Sequence, residues 1–211
     1  MVTPPAPGLT LLHTSPVHVP VFDALRDRHH PGAVLRHLVV PQLLERARAL
    51  GPASQAPAVR ELLEGSGGPV LVTCSTLGAV GETLAQDLGV PVLRVDRPMA
   101  ADAVRTGPRI AVLATVESTL APTVELLEEE AAKAGLPLSV RTLLVDGAWD
   151  RFAAGDGAGS LRLVAAAADA LADVDAIVLA QVSMTGAAAL ATTSTPVLTS
   201  PASGLAAALR K

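Results

Sequence analysis

Cysteine is nearly absent from this chain of 211 residues. Its single copy, Cys74, excludes an internal disulfide framework and any paired-thiol metal or redox motif. Aromatic residues are also scarce, with one Trp, two Phe and no Tyr. Val, Leu and Ala must therefore fill the core, and so many small side chains suit helices packed closely on a parallel sheet. Positive charge is short as well. A net charge of −4 with no block of Lys or Arg argues against a nucleic-acid face. No apolar run reaches the ~18 residues of a membrane span, and no basic segment followed by an apolar one opens the chain. These exclusions predict a cytoplasmic protein that acts on small molecules.

What the sequence does contain is alternation. Beyond a Pro-rich lead-in (Met1–Gly8, expected to fray), short apolar runs of strand type alternate with helical stretches. Strands are expected at Leu9–His13, Ala33–Val40, Pro69–Cys74 and Val90–Asp96. Helices are expected at Val17–Arg28, Pro41–Leu50, Ala56–Glu64, Ala79–Leu88 and Pro98–Arg105. The pattern then restarts, with strands at Arg109–Ala114, Leu136–Val145, Ala176–Ala180 and Pro196–Thr199. Helices are expected at Pro122–Ala134, Ala148–Ala154, Ser160–Leu171, Met184–Leu190 and Pro201–Arg210. Strands and helices in strict turn, punctuated by Gly and Pro, predict parallel sheets built from right-handed strand–helix–strand units.

The restart reads as an internal repeat. LLHTSPVHVPVFDAL aligns with VLATVESTLAPTVEL, which pairs Thr14 with Thr115. HLVVPQLLERA aligns with TLLVDGAWDRF, and PVLVTCSTLGAV with AIVLAQVSMTGA, which pairs Cys74 with Gln181. Three segments in one order, with offsets that drift by only a few residues, predict two lobes related by a pseudo-twofold. The first spans 1–97, with a closing helix at 200–211 packing back on it. The second spans 98–199.

The stretch from Pro69 to Gly78 is where chemistry is expected. A buried strand ends in Thr73 and Cys74, and two hydroxyl residues follow. Ligands of open α/β sheets bind beyond the carboxyl ends of the strands. A helix N-terminus there favours an anion, whether the thiolate or a substrate carboxylate. The competing reading of Cys74 is a small buried hydrophobe. Thr14, Ser15, Ser75 and Thr76 are candidate carboxylate ligands, as are Thr115, Ser118, Thr119, Gln181 and Ser183, and all could equally cap strand and helix ends. Glu117 and Asp96 are read as solvated acids or bases, and His13 as a hydrogen-bonded core histidine. His18, His29, His30 and His37 lack metal-ligand spacing, and Gly155–Gly159 matches no nucleotide-binding loop. No metal or cofactor is expected.

VTCSTLG at Val72–Gly78, RIAVLATVESTLAPT at Arg109–Thr123 and DAIVLAQVSMTG at Asp175–Gly186 together resemble the aspartate/glutamate and hydantoin racemase superfamily. The resemblance covers nearly the whole chain and includes the linking DRPMAADAVRTG. It implies two α/β lobes, each a parallel sheet flanked by helices, with an active-site cleft between them. In two-cysteine members the thiols work on opposite faces of the substrate α-carbon and need no metal, pyridoxal phosphate or nucleotide. It also leaves room for a homo-oligomer. This chain departs from the pattern at Gln181, which stands where the second thiol belongs, because an amide neither takes nor gives a proton near neutral pH.

Two functions are open on these grounds. One is a cofactor-independent isomerase, racemase or decarboxylase working beside a carboxylate, with Cys74 as its acid/base. The other is a non-catalytic binder of small carboxylates or amino-acid-like ligands that has lost its second thiol. Neither involves nucleic acid or membrane.

Overall fold

Nine helices and eight strands are described in the computed structural model, over residues 8–210. The first seven residues of the lead-in lie outside the described residues. The chain divides into two compact units. One runs to Val95 and takes in the chain again from Gly204, and the other is Asp96–Ser203.

In the first unit, β1 (Leu9–His13), α1 (Val19–His29), β2 (Leu35–Val39), α2 (Pro41–Leu50) and α3 (Ala56–Glu64) come first. β3 (Val70–Val72), α4 (Ser75–Leu88) and β4 (Val92–Arg94) follow. Its sheet has the order β2-β1-β3-β4, and every pair is parallel. The second unit holds α5 (Arg97–Thr106), β5 (Arg109–Ala114), α6 (Leu120–Ala134), β6 (Ser139–Leu144), α7 (Ala148–Ala153), α8 (Gly157–Asp169), β7 (Ala176–Leu179) and β8 (Val197–Thr199). Its sheet runs β6-β5-β7-β8, also all parallel, which is the strand order of the first. The last helix, α9, spans Ser200–Ala208. The fold class is therefore α/β, two four-stranded parallel sheets each flanked by helices. No helix among the described residues is long and apolar enough to cross a membrane.

Burial explains the sequence pattern. Central strands are covered on both faces, so β1, β3 and β7 are buried at every position, whereas the edge strand β2 mixes exposed and half-buried residues. The period of two sorts β5 cleanly. Ile110, Val112 and Ala114 join α5 and α6 in one apolar layer, and Ala111 and Leu113 join α7 and α8 in the other.

Glycine is required where backbones come close. A Cβ on Gly204 would lie 2.4 Å from the Val95 carbonyl oxygen, and one on Gly78 would lie 2.8 Å from Arg94 side-chain atoms. Gly204→Ala is expected to destabilise the protein by about 1–3 kcal/mol, because backbone rather than a flexible side chain must give way. A lowered urea midpoint with an unchanged slope is the expected result.

Several element ends differ from expectation. The Pro69–Cys74 run is strand only over Val70–Val72, and α4 starts at Ser75 rather than Ala79. The reason is local: Cys74 is itself the extended N-cap residue, at φ −105° and ψ 114°, so the hydroxyl residues fall in the first helical turn. Val17–Arg28 divides into a 3₁₀ turn at Pro16–His18 and α1, and a similar turn at Glu117–Thr119 precedes α6. The helix expected over Met184–Leu190 is a 3₁₀ run, Val182–Ala189. Expected strands Ala33–Val40, Val90–Asp96 and Leu136–Val145 are shorter at both ends.

Candidate active site

The two central strands of each sheet end in the same hydrogen-bond register. In the first unit the Thr73 N–H donates to the Leu12 carbonyl at 3.0 Å, and in the second the Ala180 N–H donates to the Leu113 carbonyl at 3.0 Å. Thr14 and Thr115 are thus equivalent residues leaving β1 and β5. Cys74 and Gln181 are equivalent residues one step beyond Thr73 and Ala180.

Their chemistry differs. In the second unit the Gln181 Oε1 accepts both the Thr115 N–H, at 2.7 Å, and the Thr115 hydroxyl, at 3.0 Å. A backbone N–H can only donate, so the atom facing it must be the amide oxygen, which fixes the side-chain orientation. The Gln181 Nε2 then points elsewhere, with two donors and no partner among the described residues. In the first unit no side chain closes the strand end in this way. Thr14 is buried, with 6% exposure, and its N–H has no partner among the described residues. An unpaired N–H at a buried residue is uncommon and marks a place for an acceptor.

Cys74 is a free thiol in a residue 7% exposed, and it packs in the apolar cluster with Leu12, Val72 and Leu77. It is therefore largely enclosed rather than open. No side chain caps α4 behind it, and no acid occupies the first turn. Beneath that turn lies Arg94, 2% exposed, whose Nη2 reaches the Ser75 carbonyl at 3.5 Å. Sequence reading missed Arg94, although a lone charge inside the apolar run VLRV was a usable signal.

The other candidates sort by exposure. Ser15 is half-buried with extended backbone and makes no capping bond through its side chain. Ser75 is half-buried and Thr76 buried in the first turn of α4. Thr119 is buried and its carbonyl takes the Thr123 hydroxyl at 2.8 Å, a helix-start role. Ser118 and Glu117 are exposed, Ser183 is half-buried, and Asp96 is only 1% exposed at the start of α5. Thr14, Ser15, Cys74, Ser75 and Thr76 thus gather at the ends of two paired strands, and Thr115 and Gln181 are bonded directly. Ser118 points away into solvent.

His13 is the hydrogen-bonded core histidine that the sequence predicts. His13 is fully buried and bonds Thr73 and His37, and His18 packs edge-on against it with ring centroids 5.9 Å apart. Burial, with the neighbouring His18 and His37, lowers the His13 pKa to about 3, and burial alone lowers that of His18 to about 4. No group of three or more acidic, His or Cys side chains among the described residues could hold a metal ion.

The fold is the one seen in solved glutamate and aspartate racemases. No family model matches the sequence and no curated protein matches it, so the likeness is one of structure. Glutamate racemase from Thermus thermophilus, in complex with β-chloro-D-alanine, superposes with a TM-score of 0.65 at 19% identity, over 99% of this chain and 81% of that one. Aspartate racemase from Picrophilus torridus gives 0.66 at 13% identity, over 96% and 92%. A liganded double variant of arylmalonate decarboxylase, with one glycine changed to cysteine and one cysteine to serine, gives 0.58 at 20% identity, over 97% and 92%.

Proposed function

We propose that this protein is a racemase-fold enzyme that moves a proton at the carbon next to a carboxylate, with Cys74 as its one acid/base and no cofactor. The observation that carries the reading is the first strand-end pair. The unpartnered Thr14 N–H and the uncapped, acid-free start of α4 flank the lone thiol. Both favour an anion, and donors aimed at a carboxylate stabilise the enediolate formed when a proton or carbon dioxide leaves. Ser15, Ser75 and Thr76 add hydroxyls. Gln181, its oxygen occupied by Thr115, presents an oriented N–H donor at the equivalent strand end of the second unit. The matched register of the two sheets supports a duplication of a first lobe, 1–97, in a second, 98–199. A single thiol suits decarboxylation or tautomerisation, which use one face of the substrate, better than two-base racemisation.

A second reading, a carboxylate binder without turnover, is favoured by Gln181 at the equivalent of the thiol position and by the enclosure of Cys74. Both readings require an anion site beside the sulfur, and a chain with one cysteine reports on it cleanly. Relative to free cysteine, Cys74 should prefer iodoacetate over iodoacetamide by about fivefold or more, the worth of roughly 1 kcal/mol at a helix N-terminus. Malonate, L-aspartate or D-glutamate should slow both reagents. A ratio at or below that of free cysteine removes the anion site.

A further inference from the structure

The buried histidines form a directional chain whose proton positions follow from its ends. The Thr73 hydroxyl donates to the Leu12 carbonyl at 3.0 Å. Its oxygen must then accept from His13, so the Nδ1 that lies 2.8 Å away carries the proton. His13 has no acid beside it, is fully buried, and has its pKa lowered to about 3 by burial and by His18 and His37. It is therefore neutral, and its bare Nε2 accepts from the His37 Nδ1 at 2.8 Å. That leaves the buried His37 Nε2 without a hydrogen bond, 3.4 Å from an Asp23 oxygen that also pairs with Arg26 at 2.8 Å.

The chain joins four elements of the first unit. Thr73 leaves β3, His13 ends β1, His37 lies in β2 and Asp23 in α1. The two residues held at its inner end immediately precede Thr14 and Cys74. We propose that His13, kept neutral and protonated on Nδ1, is a positioning residue that ties these strand ends together, so fixing the Thr14 N–H and the Cys74 backbone from which α4 starts. The functional part of this rests on the carboxylate reading above; the tautomer and the tie do not. His37 and Asp23 complete the chain on the outer side, with the His37 Nε2 3.4 Å from the Asp23 carboxylate.

The test uses the full chain labelled with ¹⁵N-histidine. His13 is expected as the Nδ1–H tautomer from about pH 8 to about pH 5, without becoming imidazolium. Thr73→Val keeps the side-chain shape but removes the acceptor, so the His13 Nδ1–H resonance should move and exchange faster. Alkylation of Cys74 by neutral iodoacetamide should change by about threefold or more in Thr73→Val and in His13→Ala, the scale of one lost hydrogen bond. It should return towards the native rate in His13→Asn, whose amide N–H₂ can stand in for Nδ1–H. An Nε2–H tautomer or an imidazolium at His13 in the native chain overturns the proposal, as do alkylation rates unchanged across the three variants. Failure of the carboxylate reading would show as no preference for iodoacetate, and it leaves the tautomer and the neutral-reagent rates untouched.

Discussion

Acidification from pH 7 to pH 5 is expected to cost the protein about 3–4 kcal/mol of stability through His13 and His18. Both titrate at 6.5 when unfolded, but their folded values are about 3 and about 4 because burial penalises the charged imidazole. The sign follows from proton counts. Below pH 6.5 the unfolded chain binds protons that the native state refuses, so stability is complete above that value and falls as the pH drops. With both rings involved the slope near pH 5 is about 2.5 kcal/mol per pH unit, and it fades once the pH passes through the folded values. A loss of this size is a large part of the 5–15 kcal/mol by which domains are usually stable. The groups facing His13 are His18, His37, Thr73 and, beyond His37, Asp23 with Arg26. None places a carboxylate directly on its ring.

Other titrations fall in a lower window. The Thr192 side chain holds the Asp169 carboxylate below its ordinary range, Arg109 does so for Asp175, and the Gly159 N–H for Asp156. Their contributions stand above the unfolded carboxylate value and are lost only as the pH falls below it. Urea midpoints at pH 7, 6 and 5 separate the two windows. His18→Gln should remove about half of the slope between pH 6 and pH 5. An unchanged slope in that variant would show that protons are taken up elsewhere.

The fold was legible because a parallel sheet covered on both faces leaves a plain trace. LTLLH and AIVL are buried at every position, and mostly apolar, because β1 and β7 have no solvent side. Strand ends were legible for the same reason, since the first one or two polar or thiol residues after such a run mark its carboxyl end. That is how Thr14, Cys74, Thr115 and Gln181 could be named. Helix starts were harder. Ser75 and Thr76 look like a polar exit in sequence, yet they form the first turn of α4 because Cys74 takes the cap position. Pairings distant in sequence left no trace at all. His13 meets Thr73 and His37 only because β1 lies between β2 and β3, a strand order that the pattern of elements does not specify. The turn of the Gln181 amide back onto Thr115 is likewise a product of register, and it gives glutamine at this position a defined donor face.

Cys74→Ala should abolish proton transfer while leaving ligand binding nearly intact, because the donors proposed for the anion are backbone N–H groups and neighbouring hydroxyls that the substitution does not touch. The Thr14 N–H remains unpartnered and the first turn of α4 remains uncapped. The sulfur is also a modest packing loss in a residue with a little exposure. Removing a positioned acid/base usually costs about 10²- to 10⁴-fold in rate, far more than the effect expected on affinity. The measurement is exchange of the α-proton into D₂O, followed by proton NMR, for the two enantiomers of aspartate and glutamate. Carbon dioxide release from arylmalonates is followed in parallel. A thermal-shift assay on the same compounds reads binding: a ligand present at about 100 times its Kd stabilises the native state by about 2.7 kcal/mol. Loss of turnover with the thermal shift retained assigns Cys74 to the chemistry. Equal turnover in Cys74→Ala removes it, and ligand-induced stabilisation of the native chain without exchange or decarboxylation of any bound compound favours the binder, in which Gln181 has replaced the second thiol for good.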